Sequence, residues 1–122
     1  MGNDGPMTNS IVLLVESEVV PGKVDDLQKL IAEVSAHCHA TEPGMMRYDW
    51  FISPDGSSVR VLEEYADSEA IRFHGQNYAS FQPALGECRT VRSLQLLGEP
   101  DDELREIMES RGAPIFAPVD SD

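Results

Sequence analysis

Residues 42–74 read EPGMMRYDWFISPDGSSVRVLEEYADSEAIRFH. Met45 to Ser53 alternates as a strand. Met46, Tyr48, Trp50 and Ile52 share one face, and Met45, Arg47, Asp49 and Phe51 share the other. Ser53-Pro54-Asp55-Gly56-Ser57 follows as a hairpin turn. Proline presets φ, aspartate bonds its own backbone, and glycine accepts positive φ. Ser58 to Ala66 returns as a second strand, with Val59, Val61, Glu63 and Tyr65 on one face and Arg60, Leu62, Glu64 and Ala66 on the other. Asp67 then offers an N-cap to a helix that carries Ile71, Phe73 and His74. The stretch holds the chain's only Trp, two of its three Tyr and two of its four Phe. Any binding or chemistry is therefore expected there.

Working outward, Ile11 to Val20 is β-branched and apolar on both faces before Glu16 and Glu18 share one side, which makes it a strand. Pro21-Gly22 ends it. From Gly22 to Ala40 the period changes. Val24, Leu27, Ile31, Val34 and Cys38 form the stripe of an amphipathic helix, which Pro43 stops. Beyond His74, Gly75-Gln76-Asn77 is expected to interrupt the second helix, with a further helical piece over residues 78–87. Thr90 to Gly98 reads as a fourth strand. Pro100 introduces a short helix, DDELREIMES, with Leu104, Ile107 and Met108 on one face and Gly112 at its end. The tail APIFAPVDSD is expected to be extended and docked on the body or on a partner chain.

The order β-α-β-β-α-β defines an α+β, ferredoxin-like antiparallel sheet with a C-terminal helix. Residues 1–9 are read as a flexible tail, 10–98 as the domain, and 99–122 as a helix and extended tail of the same domain. The two helices cover one face of such a sheet. The strands are apolar on both sides, so the second face needs cover, and a homodimer with two sheets packed across a two-fold axis is expected.

The net charge of -13 and pI near 4.4 oppose nucleic acid and anionic lipid as partners. They also suggest a neutral rather than strongly anionic substrate. Two cysteines, Cys38 and Cys88, are too few for a disulfide scaffold, and no secretory signal is visible, so a cytoplasmic location is expected. No apolar run approaches the ~18 residues of a membrane span.

Glu42-Pro43-Gly44, Tyr48-Asp49-Trp50, the Pro54-Asp55-Gly56 turn and the run from Glu63 to Ala70, EEYADSEA, resemble the antibiotic biosynthesis monooxygenase family of dimeric α/β barrel proteins. The likeness covers about residues 11–98. The Glu103-Leu104-Arg105 helix and the Phe116-Ala117-Pro118 tail are also similar to some bacterial members. The resemblance implies a cofactor-independent monooxygenase acting with O2 on a small phenolic or quinol-type aromatic. A non-catalytic ligand-binding or stress-related barrel and a cofactor-free isomerase are alternatives on the same fold. The haem-degrading branch uses an Asn on the first strand, a Trp on the third and a helical His. Here residues 11–20 hold no Asn and Tyr65 falls where the Trp would, so haem oxygenation is not expected.

Cofactor-free oxygenation needs one tuned base, hydrogen-bond donors and aromatic walls. His74 and Glu63 are the candidate catalytic residues, and Tyr48, Trp50, Tyr65 and His37 the candidate substrate-binding residues. Each has a plainer role open to it. His74 can be structural, and His37 can simply complement the helix C-terminus. Tyr48, Trp50 and Tyr65 can be core, and Glu63 can pair with Arg47, Arg60 or Arg72. His37-Cys38-His39 does not make a metal site, because residues i and i+2 on a helix do not face each other. No Gly-rich phosphate loop or nucleophile motif is present, and neither metal nor cofactor is expected.

Overall fold

Asp55 organises the hairpin on which the sheet is registered. Its Oδ1 accepts from Ser57 N (3.0 Å), Ser57 Oγ (2.7 Å) and Ser53 Oγ (2.8 Å). These bonds hold its carboxyl down at about 2. Gly56 turns the chain at φ 74°, where a side chain would be strained. The flanking strands, β2 (Met45–Ile52) and β3 (Ser58–Tyr65), pair antiparallel with Tyr48 opposite Glu63 and Trp50 opposite Val61.

The structure is a computed structural model that describes residues 10–119. The expected 1–9 tail lies outside the described residues. The order is β1 (Ile11–Val19), α1 (Val24–Thr41), β2, β3, α2 (Ser68–Asn77), a 3-10 turn (Ala79–Phe81), α3 (Gln82–Cys88), β4 (Arg89–Leu97), α4 (Asp102–Ser110) and β5 (Ile115–Phe116). The sheet runs β2-β3-β1-β4-β5. Its first four strands are antiparallel, giving the expected ferredoxin-like arrangement.

Alternation sorts the strands into an inner and an outer face. Ile11, Leu13, Val15, Tyr48, Val59, Val61, Tyr65 and Leu96 are buried inward. Leu27, Val34 and Cys38 of α1 and Leu85 of α3 pack against them. Burying a side chain such as Leu27 contributes about 1.5–3 kcal/mol. Ile71 of α2 and Leu104 and Met108 of α4 close the other end of this core with Ile11, Leu13 and Leu96. On the outer face Val12, Leu14 and Leu62 are half-buried, while Phe51 and Leu97 are exposed.

Two local expectations change. Helix α2 continues through Gly75 to Asn77. An interior glycine costs only about 1 kcal/mol, and the Asp67 cap on Ala70 N (2.9 Å) with buried Ile71 and His74 outweighs it. Pro83 falls in the first turn of α3, where no backbone donor is needed. The extended tail also gains regular structure. Leu96 N donates to Pro114 O (3.0 Å) and Gly98 N to Phe116 O (2.9 Å), so β5 adds to the β4 edge in parallel. Helix α4 is capped by Asp101, whose carboxylate accepts from Leu104 N (2.9 Å).

The Glu42-Pro43-Gly44 corner lies against α2. A Cβ on Gly44 would sit 2.7 Å from Ala70 Cβ, whereas one on Gly75 would meet nothing within 4 Å. Gly44→Ala is therefore expected to lower stability by about 1–3 kcal/mol in urea denaturation. Gly75→Ala is expected to raise it by about 0.5–1 kcal/mol.

Candidate active site

A cavity of about 790 Å³, open to solvent on one side, lies between the inner sheet face and helices α2 and α4. Tyr48, Trp50, Glu63 and His74 all line it. Three of these come from β2 and β3. The hairpin register puts Tyr48 beside Glu63, and β-strand period two places Trp50 next on the same face. The fourth comes from α2, where His74 follows Ile71 by three residues and shares its buried side.

His74 is the centre of the arrangement and is 5% exposed. Its Nδ1 lies 3.0 and 2.9 Å from the two oxygens of Glu42, to which it donates, and its Nε2 lies 3.7 Å from Glu63 Oε1. The ring stacks on Tyr78 at 4.5 Å and meets Tyr48 edge-on at 5.2 Å. Glu42 is itself buried and also accepts from Asn77 Nδ2 (2.8 Å). Sequence reading assigned Glu42 to a corner and Asn77 to a helix break. The usable signal was the place of Glu42 at the C-cap of α1, one turn past buried Cys38.

Tyr65 stands behind the wall. It is fully buried and its hydroxyl donates to Glu63 Oε1 at 2.6 Å. Burial raises the Glu63 carboxyl above its ordinary range, opposed in part by His74, by the Tyr65 bond and by Arg89. Burial and then the Glu63 charge push both the Tyr48 and Tyr65 phenols up, so each serves as a donor rather than an anion. Burial also pushes the Cys38 thiol up, which leaves it a poor nucleophile.

The expected arginine partners of Glu63 are corrected. Arg47 and Arg60 lie on the outer strand face and pair with Asp49 and Glu16, and Arg72 pairs with Asp101 at 2.8 Å. Alternation keeps the first two on the wrong side of the sheet. His37 stands apart from the cavity. Its Nε2 faces Asn77 O (3.1 Å) and Oδ1 (3.2 Å), and its ring lies 5.6 Å from that of Phe81.

Cys38, Glu42 and His74 place their ligand atoms within 4.8 Å of one another. Cys38 enters this group without His37 or the exposed His39. The hydrogen bonds from His74 and Asn77 already engage both oxygens of Glu42 as acceptors. No helix among the described residues is long and apolar enough to cross a membrane.

A mixed α+β domain with an acid–base cluster between sheet and helices is thus defined. The family described as antibiotic biosynthesis monooxygenase matches residues 10–83, more than half of the chain. The chain belongs to that family. Among solved structures it is similar to MupZ from Pseudomonas fluorescens, with a TM-score of 0.85 and 17% identity over 100% of this chain and 94% of that one. SnoaB, a cofactor-independent oxygenase from Streptomyces nogalater, gives a TM-score of 0.65 and 18% identity over 76% and 95% of the two chains. Rv0793 from Mycobacterium tuberculosis gives 0.64 and 22% over 76% and 97%. At these identities the likeness establishes the fold. A comparison with curated protein sequences gives no match.

Because burial raises the Glu63 carboxyl in the folded chain, folding binds a proton there above the ordinary value of 4.5. Stability from this group is present below that value and lost as pH rises through the raised one. In urea midpoints compared from about pH 5 to 8, Glu63→Gln should gain on the wild type as pH rises. A constant or shrinking difference would contradict the burial effect.

Proposed function

We propose that the chain is a cofactor-independent monooxygenase that acts on a small phenolic or quinol-type aromatic with O2. The observation that carries this reading is the convergence of Glu63, His74 and Tyr48 on one cavity. Glu63, made more basic by burial, takes the phenolic proton. Tyr48 donates to the developing oxyanion. The electron-rich anion passes electrons to O2, and carbon–oxygen bond formation gives a peroxide that takes the proton back from Glu63. As the O–O bond breaks, the C–H proton at that carbon passes to Nε2 of His74, held by Glu42, and leaves with the hydroxide as water, so that a carbonyl remains. Family membership and the fold shared with SnoaB support the proposal.

A second reading, a cofactor-free isomerase or lactone-processing enzyme, is favoured by the open side of the cavity. A reactive carbanion exposed to O2 is better kept in a closed, dry site. It uses the same acid–base pair and runs without oxygen.

The outer face carries half-buried Val12, Leu14 and Leu62 and exposed Phe51 and Leu97, none of them part of a core cluster among the described residues. We read it as the interface of a homodimer. The two free, buried cysteines suit a reducing, cytoplasmic location.

With hydroquinones and anthrones, oxygen uptake should exceed the spontaneous rate. His74→Ala should lower kcat/KM by about 10²–10⁴-fold, and Glu42→Gln by about 10-fold or more. Turnover that persists under strict anaerobiosis would favour the isomerase reading, and full activity in both His74→Ala and Glu63→Gln would remove the site assignment. By light scattering at micromolar concentration the chain should have the mass of a dimer; a monomer would contradict the interface.

A further inference from the structure

The chain carries nine Lys and Arg against 22 Asp and Glu. Four of those nine, Arg72, Arg89, Arg92 and Arg111, line the cavity described above, and of the acids only Glu63 and Glu103 do so. Two of the four are already neutralised. Arg72 is held by Asp101 (2.8 Å) and Arg92 by Glu18 (2.9 Å). Arg89 is different. It is half-buried, yet its guanidinium makes no hydrogen bond or ion pair among the described residues, and its Nη1 is a buried donor without a partner. It lies 4.9 Å over the ring of Trp50, whose own buried Nε1 is also unpartnered.

A half-buried guanidinium with one nitrogen fully buried and unpaired carries a desolvation cost. In so acidic a chain a carboxylate partner would be easy to supply. Glu63, whose carboxyl feels the Arg89 charge, is hydrogen-bonded to Tyr65, and Glu18, across the β1–β4 pairing, is held by Arg92. The fork of Arg89 is left for something that enters the cavity. A planar carboxylate matches it bidentately, while Trp50, which lines the cavity beside it, offers an aromatic contact.

We infer that the cavity accepts an aromatic substrate bearing a carboxylate, seated on Arg89 beside Trp50. This deepens the proposed function and rests on it for the chemistry, though not for the binding. It replaces the neutral substrate suggested by net charge. The charge of the whole chain acts on an approaching anion over a Debye length of roughly 10 Å in ordinary buffer, and inside the cavity the arginines are closer than that. Trp50 and Arg89 are brought together by β2 and the first residue of β4, strands that do not neighbour each other in the sheet. Their pairing therefore depends on the whole fold.

Calorimetric titration without oxygen tests the seat directly, using 1,4-dihydroxy-2-naphthoate and its methyl ester as probes. The free acid should bind about tenfold or more tighter than the ester, and its affinity should fall with added NaCl while that for the ester does not. Arg89→Gln should abolish the difference and Arg89→Lys should keep part of it. Arg105→Gln, an exposed site on α4 outside the cavity, should leave it intact. If Arg89→Gln does not fold, Arg89→Lys and the salt dependence still decide. Equal binding of acid and ester, no binding of either, or a preference that survives Arg89→Gln would each overturn the proposal. Because binding is read without oxygen, an acid preference with no oxygen uptake leaves the seat standing and removes the oxygenase reading. Oxygen uptake on acid and ester alike does the reverse.

Discussion

Glu42 and His74 meet across 32 residues of sequence, both nearly dry, with the imidazole donating to the carboxylate at 2.9 Å. Neither group has a second ionic answer of comparable geometry. Breaking such a buried pair by removing one partner costs about 3–5 kcal/mol. The corner after α1 and the buried side of α2 must therefore be delivered to the same place. Gly44 permits this, since a larger residue would strike Ala70. Asn77 and Cys38 then fill the remaining contacts around the pair. His74 is thereby fixed with its other nitrogen toward Glu63.

The sheet does the complementary work. Glu63 sits on β3 between Tyr48 of β2 and Leu13 of β1, so three strands set its surroundings. Tyr65, two residues on, is on the same face and bonds back to it. A register slip of one residue would send all of these to the outer face. The Asp55 turn fixes register on one side and the β1–β4 ladder on the other, where a bulge between Glu16 and Ser17 shifts the pairing. Beyond that shift Val91 and Arg89 turn inward, toward the cavity.

What sequence conveys here follows from the range of each interaction. The PDG turn, the strand alternation and the Asp67 cap are local, and each was readable. Glu63 facing inward with Tyr65 was readable for the same reason. Glu42 was not, because an acid before Pro43 looks like a loop residue until α2 is laid across it. Arg89 was hidden by position, since the first residue of a strand gives no sign of being half-buried. His37 lies on a helix beside the region and turns to Asn77 instead, a choice of a few degrees that spacing does not resolve. Gly75 was over-read, because burial of Ile71 and His74 outweighs one glycine.

Net charge does not describe local charge, since a chain at -13 gathers four arginines in one cavity. The proposed chemistry depends on His74 being locked by Glu42. Nitrogen-15 NMR of the three histidines tests that lock most directly. The account predicts one imidazole, His74, with a slowly exchanging proton on Nδ1 whose resonance shifts strongly in Glu42→Gln. A His74 ring that exchanges as fast as exposed His39, or that ignores the Glu42 substitution, would contradict it.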